Sequence, residues 1–594
     1  MASNNRAPEG SPRTKALIDQ IEKFYEEHGV VDWTTLGITY YMRKYHGLDE
    51  AVAYLLGNDN EPDTEDFITL SDVSFDPEID FGDRDVEKLD VESPIIITCG
   101  EVGCPLNTQF VAVLKNMARH KKARLLLVPQ AQKKKDLSEA ISFYKIYEPG
   151  MLDLAGNPIN PPELACWEEE GFEIIIDPTL LHKHLSLYPL FINPKVANPI
   201  TGLRTLAPKL KNAVIASPKQ RLESFPSPKD HLPYLVASTG AVTESPIYEN
   251  FMLTKQELIA EHDHQLGAII IEPDGECFHM RHVISKDGGY SVRDFDGTAN
   301  KYTSEAVSSA KLLGMVPGDW HSGYTDVEVA TVLMDVAEKN DIDEVVLHDT
   351  DDGHSTNPHE KHQNMTLTQK ALSGMLSVEC EIVGVAHDLL EWEKIVKRVS
   401  VVRSNHDEFL DREIENGKYT SHPFSAGPLT IIAGALTEHV YATGSIPYAL
   451  PIAIEKIANN IYKVPKLQKT VFLERDVAYY IAGVDVSHHG DKLINGRPTN
   501  LANIAASIPL SVTGHNHAPG LFRGAYRVGT SSVLDLNYNK GLGSWLHTFA
   551  LIFDDGSIQL INIINGIPYK GYTKPTKTAE IASTRAHIKK YFKY

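Results

Sequence analysis

The sequence predicts an α/β protein of several domains, and three observations support this expectation. From about residue 310 onward, short apolar strand-like runs alternate with helical runs, which is the pattern of a layered α/β domain. Residues 94–130 follow a strand–helix–strand order and predict a βαβ unit. The length of 594 residues is too great for one hydrophobic core and predicts roughly three to four domains.

The N-terminal segment is expected to be helical. Apolar residues at helical spacing, among them Leu17, Ile21 and Phe24, predict a small helical module over residues 1–60. A helix-turn-helix reader of DNA and a packing or oligomerisation bundle both fit this length. The bundle is favoured because no distinctly basic recognition helix is present.

Residues 61–92 form an acidic linker, with 13 Asp and Glu residues against Arg84 and Lys88. The linker supplies half of the formal net charge of −22, so the acidic total does not exclude DNA as a partner. A flexible spacer is its expected role, and a DNA mimic in a basic groove is the alternative. Two basic segments, 115–136 and the C-terminal tail 567–594, are candidates for backbone contacts with DNA.

Residues 93–305 are expected to form an accessory region of α/β and β-hairpin structure. SPIIITCGEV predicts a buried strand, NTQFVAVLKNMARHKKA an amphipathic helix and RLLLVPQ a second strand. Residues 266–300 alternate in the β manner around turn signals at 273–275 and 287–289. The sequence gives no sign of an internal repeat.

The domain that follows, 306–566, contains the alternating pattern. DVEVATVLMDVAEKN predicts a helix, DEVVLHD a strand, and WLHTFALIFDDGSIQLINII a hairpin around an Asp-Asp-Gly turn. An apolar and mostly helical stretch interrupts this pattern at 420–465. It is either an insertion packed on the core or a subunit contact, and we expect a homo-oligomer.

Composition limits the class of protein. Hydrophobic content of 42% and charged content of 23% are those of an ordinary globular protein. No apolar stretch is long enough to cross a bilayer and no signal peptide is evident, so a cytoplasmic location is expected. The five cysteines are scattered, which argues against a disulfide framework and against a thiolate zinc site.

Five clusters of metal-ligand side chains follow one another in the second half of the chain. Each lies where an apolar strand-like run gives way to a loop, which is where ligands from distant positions can converge. Their mixed Asp, His and Asn composition suits divalent manganese, iron or zinc. The clusters are Asp319-Trp320-His321; His348-Asp349 with Asp351-Asp352; Asn405-His406-Asp407; His488-His489-Gly490-Asp491; and Gly514-His515-Asn516-His517.

Not every histidine in these clusters is expected to be a ligand. His488 and His489 cannot both face one ion, because successive strand residues point to opposite sides, and His489 is preferred because Gly490 allows a close turn. For any one of the histidines around the second cluster, a surface position or a supporting role beside the ligands is the favoured interpretation. Those histidines are His348, His354, His359 and His362.

The ordered motifs Asp-x-His, Asp, Asn-His-Asp, His-Gly and Gly-His-x-His resemble the calcineurin-like metallophosphoesterase superfamily, which includes SbcD-type exonucleases. The resemblance covers about residues 310–565 and implies a four-layer αββα sandwich. His348-Asp349 stands where the superfamily usually has Gly-Asp, which leaves Asp349 or Asp352 as the shared ligand. The position directly after DEVVL favours Asp349.

The resemblance also implies a site with two metal ions. Mn²⁺ is the expected metal, and Mg²⁺, Fe²⁺ and Zn²⁺ are the alternatives. A hydroxide between the ions is expected to attack phosphorus. His406 is expected to stabilise the transition state or to protonate the leaving alkoxide, with Asp407 orienting it. The implied ligands are Asp319, His321 and His517 for one ion, Asn405, His489 and His515 for the other, and Asp349 between them.

Shorter matches, among them PIIITCGEVGCPLNTQF, NPITGLRTL and LVASTGAVTE, resemble tailed-phage proteins of the first-step-transfer DNase type. That resemblance implies a phage early protein that degrades host DNA in the cytoplasm of the infected cell. The leading hypothesis is therefore a metal-dependent deoxyribonuclease. The alternatives are a phosphatase or small-nucleotide phosphodiesterase of the same superfamily, and a non-catalytic, metal-stabilised DNA-binding or scaffold protein.

Overall fold

The computed structural model describes residues 92–582 with short gaps, together with Lys23 and the strand Glu87–Lys88. The chain forms two compact units, Met1–Thr69 and Leu70–Tyr594, and the architecture below belongs to the second. The expected helical module, nearly all of the acidic linker and the end of the basic tail lie outside the described residues, and the domain limits stay predictions. The gaps are 154–156, 230, 248–251, 374, 418, 423, 476, 498–499 and 537–538.

The N-terminal half of this unit contains fourteen described strands. They are β1 (Glu87–Lys88), β2 (Ile95–Glu101), β3 (Arg124–Gln130), β4 (Glu173–Ile174), β5 (Thr179–His182), β6 (Leu185–Tyr188), β7 (Asn212–Ile215), β8 (Arg221–Phe225), β9 (Tyr234–Ser238), β10 (Gly267–Asp274), β11 (Cys277–Ile284), β12 (Ser291–Phe295), β13 (Ala299–Thr303) and β14 (Val307–Ser309). Its helices are α1 (Thr108–Lys121), α2 (Lys134–Ile146), α3 (Glu163–Glu169), α4 (Ala207–Leu210) and α5 (Lys255–Asp263), with a 3₁₀ turn at Leu203–Thr205.

The C-terminal half contains eleven described strands. They are β15 (Leu312–Val316), β16 (Glu344–Leu347), β17 (Arg398–Val402), β18 (Thr470–Leu473), β19 (Tyr480–Ile481), β20 (Val484–Asp485), β21 (Ser511–Thr513), β22 (Gly520–Phe522), β23 (Ala525–Arg527), β24 (Thr548–Phe553) and β25 (Ile558–Asn562). Its helices are α6 (Val327–Lys339), α7 (Asn364–Leu372), α8 (Val378–Ile395), α9 (Glu408–Glu415), α10 (Ala426–Thr443), α11 (Ala449–Ala453) and α12 (Leu501–Ser507), with a π-helix at Ile454–Asn459 and 3₁₀ turns at Tyr419–Ser421 and Ile494–Gly496.

The described strands form four sheets, and the expected mixed α/β class is confirmed. An eleven-stranded sheet has the order β1-β5-β6-β7-β9-β8-β22-β23-β21-β20-β19, and a six-stranded sheet has the order β18-β17-β16-β15-β24-β25. The others are β11-β10-β2-β3-β4 and β12-β13-β14. Parallel β2 and β3 joined by α1 confirm the βαβ unit, and antiparallel β24 and β25 confirm the hairpin. The 420–465 stretch is mostly helical, as expected.

The two halves share one topology, so the expectation of no internal repeat is wrong at the level of structure. The order β3-β2-β10-β11 in one half matches β16-β15-β24-β25 in the other, with parallel strands followed by an antiparallel hairpin. The eleven-stranded sheet divides in the same way, because β5-β6-β7-β9-β8 matches β19-β20-β21-β23-β22. The halves meet at the antiparallel pair β8–β22, where Leu222 is the partner of Leu521.

The first helix of each half begins at an equivalent cap. The side chain of Asn107 accepts a hydrogen bond from Phe110 N at the start of α1. The side chain of Asp326 accepts from Glu328 N and Val329 N at the start of α6. Such caps satisfy backbone donors that have no partner inside the helix, so a short polar residue fixes where each helix begins.

The repeat extends to single hydrogen bonds. Cys99 N donates to Gly240 O at 3.1 Å, and Asp319 N donates to Gly529 O at 3.2 Å. Cys99 thus holds in the N-terminal half the position that Asp319 holds in the C-terminal half. The loop 216–220 between β7 and β8 reads Ala-Ser-Pro-Lys-Gln, where the matching loop 514–519 between β21 and β22 begins with Gly-His-Asn-His. The first and last metal-ligand motifs are therefore confined to the C-terminal half.

The six-stranded sheet lies between helices and the eleven-stranded sheet. Val345 and Leu347 of β16 pack in one core with α6, α8 and α10. Val346 between them packs with Val484 and Val512 of the eleven-stranded sheet. Alternate strand residues point to opposite faces, so β16 is buried on both sides. Helix α12 contacts β22 and β23.

Candidate metal centre

Five loops meet where the six-stranded and eleven-stranded sheets pack together. Strands β15, β16 and β17 are parallel neighbours, so the loops after them leave from one edge of their sheet. Strands β20 and β21 are parallel neighbours in the opposing sheet. The five clusters that the sequence indicates occupy these five loops, and the fold brings their side chains together.

Four buried side chains form the first group of potential ligands: Asp319, His321, Asp349 and His517. One ligand atom from each lies within 4.8 Å of the others. His517 Nε2 is 3.0 Å from His321 Nε2 and 3.1 Å from Asp319 Oδ2. Three of the loops thus contribute atoms to one small volume.

The chemistry of this group fits a bound cation. Asp319 Oδ1 is buried and has no hydrogen-bond partner among the described residues. A buried carboxylate oxygen without a partner is costly, and a cation would remove that cost. The carboxylate and imidazole donors suit Mn²⁺, Fe²⁺ or Zn²⁺. This buried group of Asp and His side chains could therefore bind a metal ion.

A second group adjoins the first at Asp349. Asn405 Oδ1 lies 3.0 Å from His489 Nε2 and 3.1 Å from His515 Nδ1. His489 Nε2 lies 3.1 Å from Asp349 Oδ2, and that oxygen is 3.9 Å from His321 Nε2. Asp349 is thus positioned between the two groups. All seven side chains expected to be ligands are close to one another, while their roles as ligands stay predictions.

Among the described residues, Asp352 contacts the first group of potential ligands and has no hydrogen bond or ion pair with the second. Its Oδ1 accepts a hydrogen bond from His321 Nδ1 at 2.9 Å, and its Oδ2 is 3.5 Å from His354 Nδ1. Of the two candidates for a shared ligand, Asp349 therefore has the more suitable position, and Asp352 orients the His321 ring.

His406 lies beside the first group, with its ring centroid 4.8 Å from that of His321. Its Nδ1 contacts the backbone oxygen of Asp352 at 2.8 Å, and its backbone N donates to Asp349 Oδ1 at 3.2 Å. Its side chain is 16% exposed, more than those of the buried ligand candidates. The contact of Nδ1 with the Asp352 carbonyl fixes the orientation of the ring, and it does not involve the other ring nitrogen, Nε2.

The expectation that Asp407 orients His406 does not fit the geometry. Asp407 Oδ1 accepts from Asp351 N at 2.8 Å, and Oδ2 accepts from Ser404 Oγ at 2.6 Å. Asp407 is the residue that precedes helix α9, and its side chain is fully buried. The contact that orients His406 comes from Asp352 instead, because the Asp352 carbonyl lies on the Nδ1 side of the ring.

Three further histidines lie around the two groups. His348 is buried, with its ring centroid 5.5 Å from that of His489, and burial lowers its pKa to about 4. His488 lies 3.9 Å from Asp485 and is partly exposed. His359 is exposed and contacts Phe409, with ring centroids 6.0 Å apart. Among the described residues, none of the three forms a hydrogen bond or an ion pair with a carboxylate of either group, although Asp319 and Asp349 interact electrostatically with His348.

Buried imidazole and carboxylate side chains stabilise one another's charges within and between the two groups. Burial alone lowers the pKa of His321, but the Asp352 hydrogen bond and nearby carboxylates raise it to about 9. Burial opposes a charge on His489 in the same way, and Asp349 and Asp319 raise its pKa to about 9. The pKa of Asp349 lies well below its usual range because charged histidines outweigh its burial. A cation would take the place of these protons.

The backbone is strained at four of these positions. The φ angles are 51° at His321, 43° at Asp349, 78° at His515 and 55° at His517. Residues other than glycine rarely adopt positive φ angles. Such strained conformations are concentrated at functional sites. At the neighbouring Gly514, a Cβ would lie 2.0 Å from Asp319 Oδ1, so glycine is needed there.

One supporting residue was missed by sequence reasoning. Asp388 Oδ2 accepts from Trp320 Nε1 at 2.9 Å and from Ser322 Oγ at 2.7 Å, which fixes the loop of the first motif. Burial raises the pKa of Asp388 to about 6. The available signal was an Asp on the buried side of helix α8, next to apolar residues such as Val385 and Leu389.

None of the helices in the described part of the chain combines the length and the apolar character needed to cross a bilayer. No protein-family model matches the sequence, and no solved structure matches it. The chain is 26% identical over 387 residues to Protein A1 of Escherichia phage T5, a match that covers 63% of this chain and 67% of the phage protein. This similarity is consistent with a phage origin.

Proposed function

We propose that the chain is a metal-dependent phosphodiesterase that degrades DNA, with its catalytic domain over about residues 306–566. The observation that carries the proposal is the convergence of ligand atoms from five loops around Asp349 Oδ2, 3.1 Å from His489 Nε2 and 3.9 Å from His321 Nε2. In this half, helices α6, α8 and α10 cover the six-stranded sheet, that sheet packs on the eleven-stranded sheet, and α12 contacts the latter. This order of layers is compatible with a metallophosphoesterase sandwich.

Two cation positions are proposed, and Mn²⁺ is the first choice. Two divalent cations about 3.5–4 Å apart lower the pKa of a water between them and neutralise charge on a phosphodiester. Asp349 would contact both positions. Asp319, His321 and His517 would hold the first, and Asn405, His489 and His515 would hold the second.

His406 is proposed to act on the leaving group. Its Nδ1 contacts the Asp352 carbonyl at 2.8 Å, so Nε2 is the nitrogen available to a substrate oxygen. A protonated ring can donate from Nε2 to the alkoxide that leaves phosphorus, and the partly exposed side chain is accessible to substrate. In this role the residue would transfer a proton and would not need to bind a cation.

DNA is proposed as the substrate because the resemblance to first-step-transfer DNases extends over several segments outside the catalytic domain. The phage similarity is compatible with host DNA as the target and with action in the infected cell. We also propose that the chain assembles with copies of itself. Helix α10 and the turn after it expose Ile431, Tyr441 and Ile446, which would favour a subunit contact.

The test is a comparison of adjacent histidines on linear duplex DNA, supercoiled plasmid and a p-nitrophenyl phosphodiester, each with Mn²⁺. We expect His489→Ala to abolish DNA degradation, because it removes a ligand. His488→Ala is the matched control and should retain it, because His488 has no described contact with the two groups. Preferential hydrolysis of the small ester would favour a small-substrate phosphodiesterase. Inertness of the wild type towards all three substrates would favour a binding protein.

A further inference from the structure

A separate group of metal-ligand side chains lies at the turn between β10 and β11. Ligand atoms of Asp274, Cys277 and His279 all lie within 4.8 Å of one another. This hairpin belongs to the N-terminal half, and the group contains a thiol, which the five-loop site lacks.

The hairpin itself aligns the three side chains. Asp274 is the cross-strand partner of Cys277, with Gly275 and Glu276 forming the turn between them. Cys277 and His279 are two residues apart on β11, so their side chains project from the same face. Register and turn length are therefore sufficient to bring a carboxylate, a thiol and an imidazole to one point.

The burial of the His279 imidazole without a hydrogen bond is the observation that points to a bound ligand. The residue is 5% exposed, and neither of its ring nitrogens has a hydrogen-bond partner among the described residues. Its Nε2 lies 3.6 Å from Asp274 Oδ2, too far for a hydrogen bond. A buried imidazole without a hydrogen bond is unfavourable, and a cation would accept its lone pair.

The two other side chains are placed to complete such a site. Cys277 is buried, and its Sγ lies 3.4 Å from the backbone oxygen of Asp274, a weak contact that a metal bond would replace. The Asp274 side chain is 32% exposed, which gives a cation a path from solvent and leaves room for water. Neighbouring ligand atoms in a tetrahedral zinc site lie about 3.3–3.8 Å apart, a range that includes the Asp274–His279 separation.

We propose that the β10–β11 hairpin binds one Zn²⁺-class cation through Cys277, His279 and Asp274, with water as the fourth ligand. Thiolate and imidazole donors favour Zn²⁺ over Mg²⁺ or Ca²⁺. The thiol proton is released to solvent when the metal–sulfur bond forms. The inference differs from the sequence expectation of no thiolate zinc site, because one thiolate here acts with two other donor types. It does not depend on the proposed nuclease activity.

The cation is expected to clamp the turn at its junction with the eleven-stranded sheet. His182 of β5 reaches this turn, with Nε2 3.0 Å from Gly275 O. A metal that binds both sides of the same turn would hold the carbonyl of Gly275 in place for that contact. The proposed role is therefore structural.

Cobalt substitution of the full chain tests the proposal, using Co²⁺ alone as the probe. A thiolate bound to Co²⁺ gives a near-ultraviolet charge-transfer absorption, and the five-loop site has no cysteine to produce it. We expect one equivalent of this absorption in the wild type and its loss in Cys277→Ser. Cys166→Ser is the control and should retain the band, since Cys166 is exposed and remote in sequence.

A second variant separates ligand loss from misfolding. His279→Ala should lose one equivalent of zinc, measured by elemental analysis, while circular dichroism in the presence of chelator matches that of the wild type. Absence of the cobalt band from the wild type, or its survival in Cys277→Ser, would overturn the proposal. So would an unchanged zinc content in His279→Ala.

Discussion

His321 and His517 lie 196 positions apart in the chain, yet their Nε2 atoms are 3.0 Å from each other. His321 follows β15 of the six-stranded sheet, and His517 follows β21 of the eleven-stranded sheet. A cation held by both would therefore join the two sheets. Metal binding and the stability of this half of the protein should be linked.

Removing His517 should weaken that link. A ligand at one hundred times its Kd stabilises the folded state by about 2.7 kcal/mol. We expect Mn²⁺ to raise the unfolding temperature of the wild type, and His517→Ala to lose most of that increase. Differential scanning fluorimetry with and without Mn²⁺ measures it. His359→Ala, an exposed histidine, is the control, and an equal loss in both variants would contradict the assignment.

Metal binding should release protons. Without metal, nearby carboxylates raise the pKa of His321 and of His489 to about 9, so at pH 7 both rings are positively charged, with a proton on each nitrogen. A cation must displace the proton on the nitrogen that it binds, so affinity should increase with pH by about tenfold per pH unit for each proton displaced. Calorimetric titration of Mn²⁺ at pH 6–8, in buffers of different ionisation enthalpy, counts these protons. Affinity independent of pH would show that the rings are not ligands.

His406→Ala should separate catalysis from metal binding. Loss of a general acid typically reduces the rate by about 10²–10⁴-fold. Metal content should be unchanged if His406 transfers a proton, as proposed, and does not join His321 and Asp352 in holding a cation. Asp407→Asn is the informative comparison, since Asp407 contacts Ser404 and Asp351 rather than His406. Asp407→Asn should therefore lose far less activity than His406→Ala. An equal loss in both variants would restore Asp407 as the orienting residue.

The buried ion cluster around Asp294 predicts a pH-dependent contribution to stability. Asp294 accepts hydrogen bonds from Arg281 Nε at 2.6 Å and Nη2 at 2.9 Å, and Lys121 Nζ lies 2.7 Å away. Burial raises its pKa, but the two cations outweigh burial and hold the pKa well below its usual range. The stabilisation is therefore present above the unfolded pKa of about 3.9 and is lost as pH falls towards the folded value.

Asp294→Asn should accordingly cost about 3–5 kcal/mol at pH 7, because it leaves buried cations without their carboxylate. Urea unfolding measures the loss. The half-exposed Asp554, which pairs with Arg293 at 2.7 Å, provides the matched control, and Asp554→Asn should change stability by no more than about 1 kcal/mol. Equal effects of the two substitutions would show that the buried cluster contributes nothing special.

Local patterns in the sequence were enough to predict the α/β class, the βαβ unit and the gathering of five motifs at strand ends. They were not enough to assign the partner of His406, because the contact comes from the backbone carbonyl of Asp352. The internal repeat could not be recognised from the sequence either. Equivalent positions carry different residues, such as Cys99 and Asp319, and what they share is a backbone hydrogen bond. The Asp274, Cys277 and His279 group depends on cross-strand register, which the scattered cysteines did not indicate.

Anomalous diffraction from crystals of the full chain soaked in Mn²⁺ tests the central claim most directly. The account predicts two peaks about 3.5–4 Å apart, one beside His321 and His517, the other beside His489 and His515, with Asp349 between them. Peaks at other places, or no peak among these side chains, would contradict it.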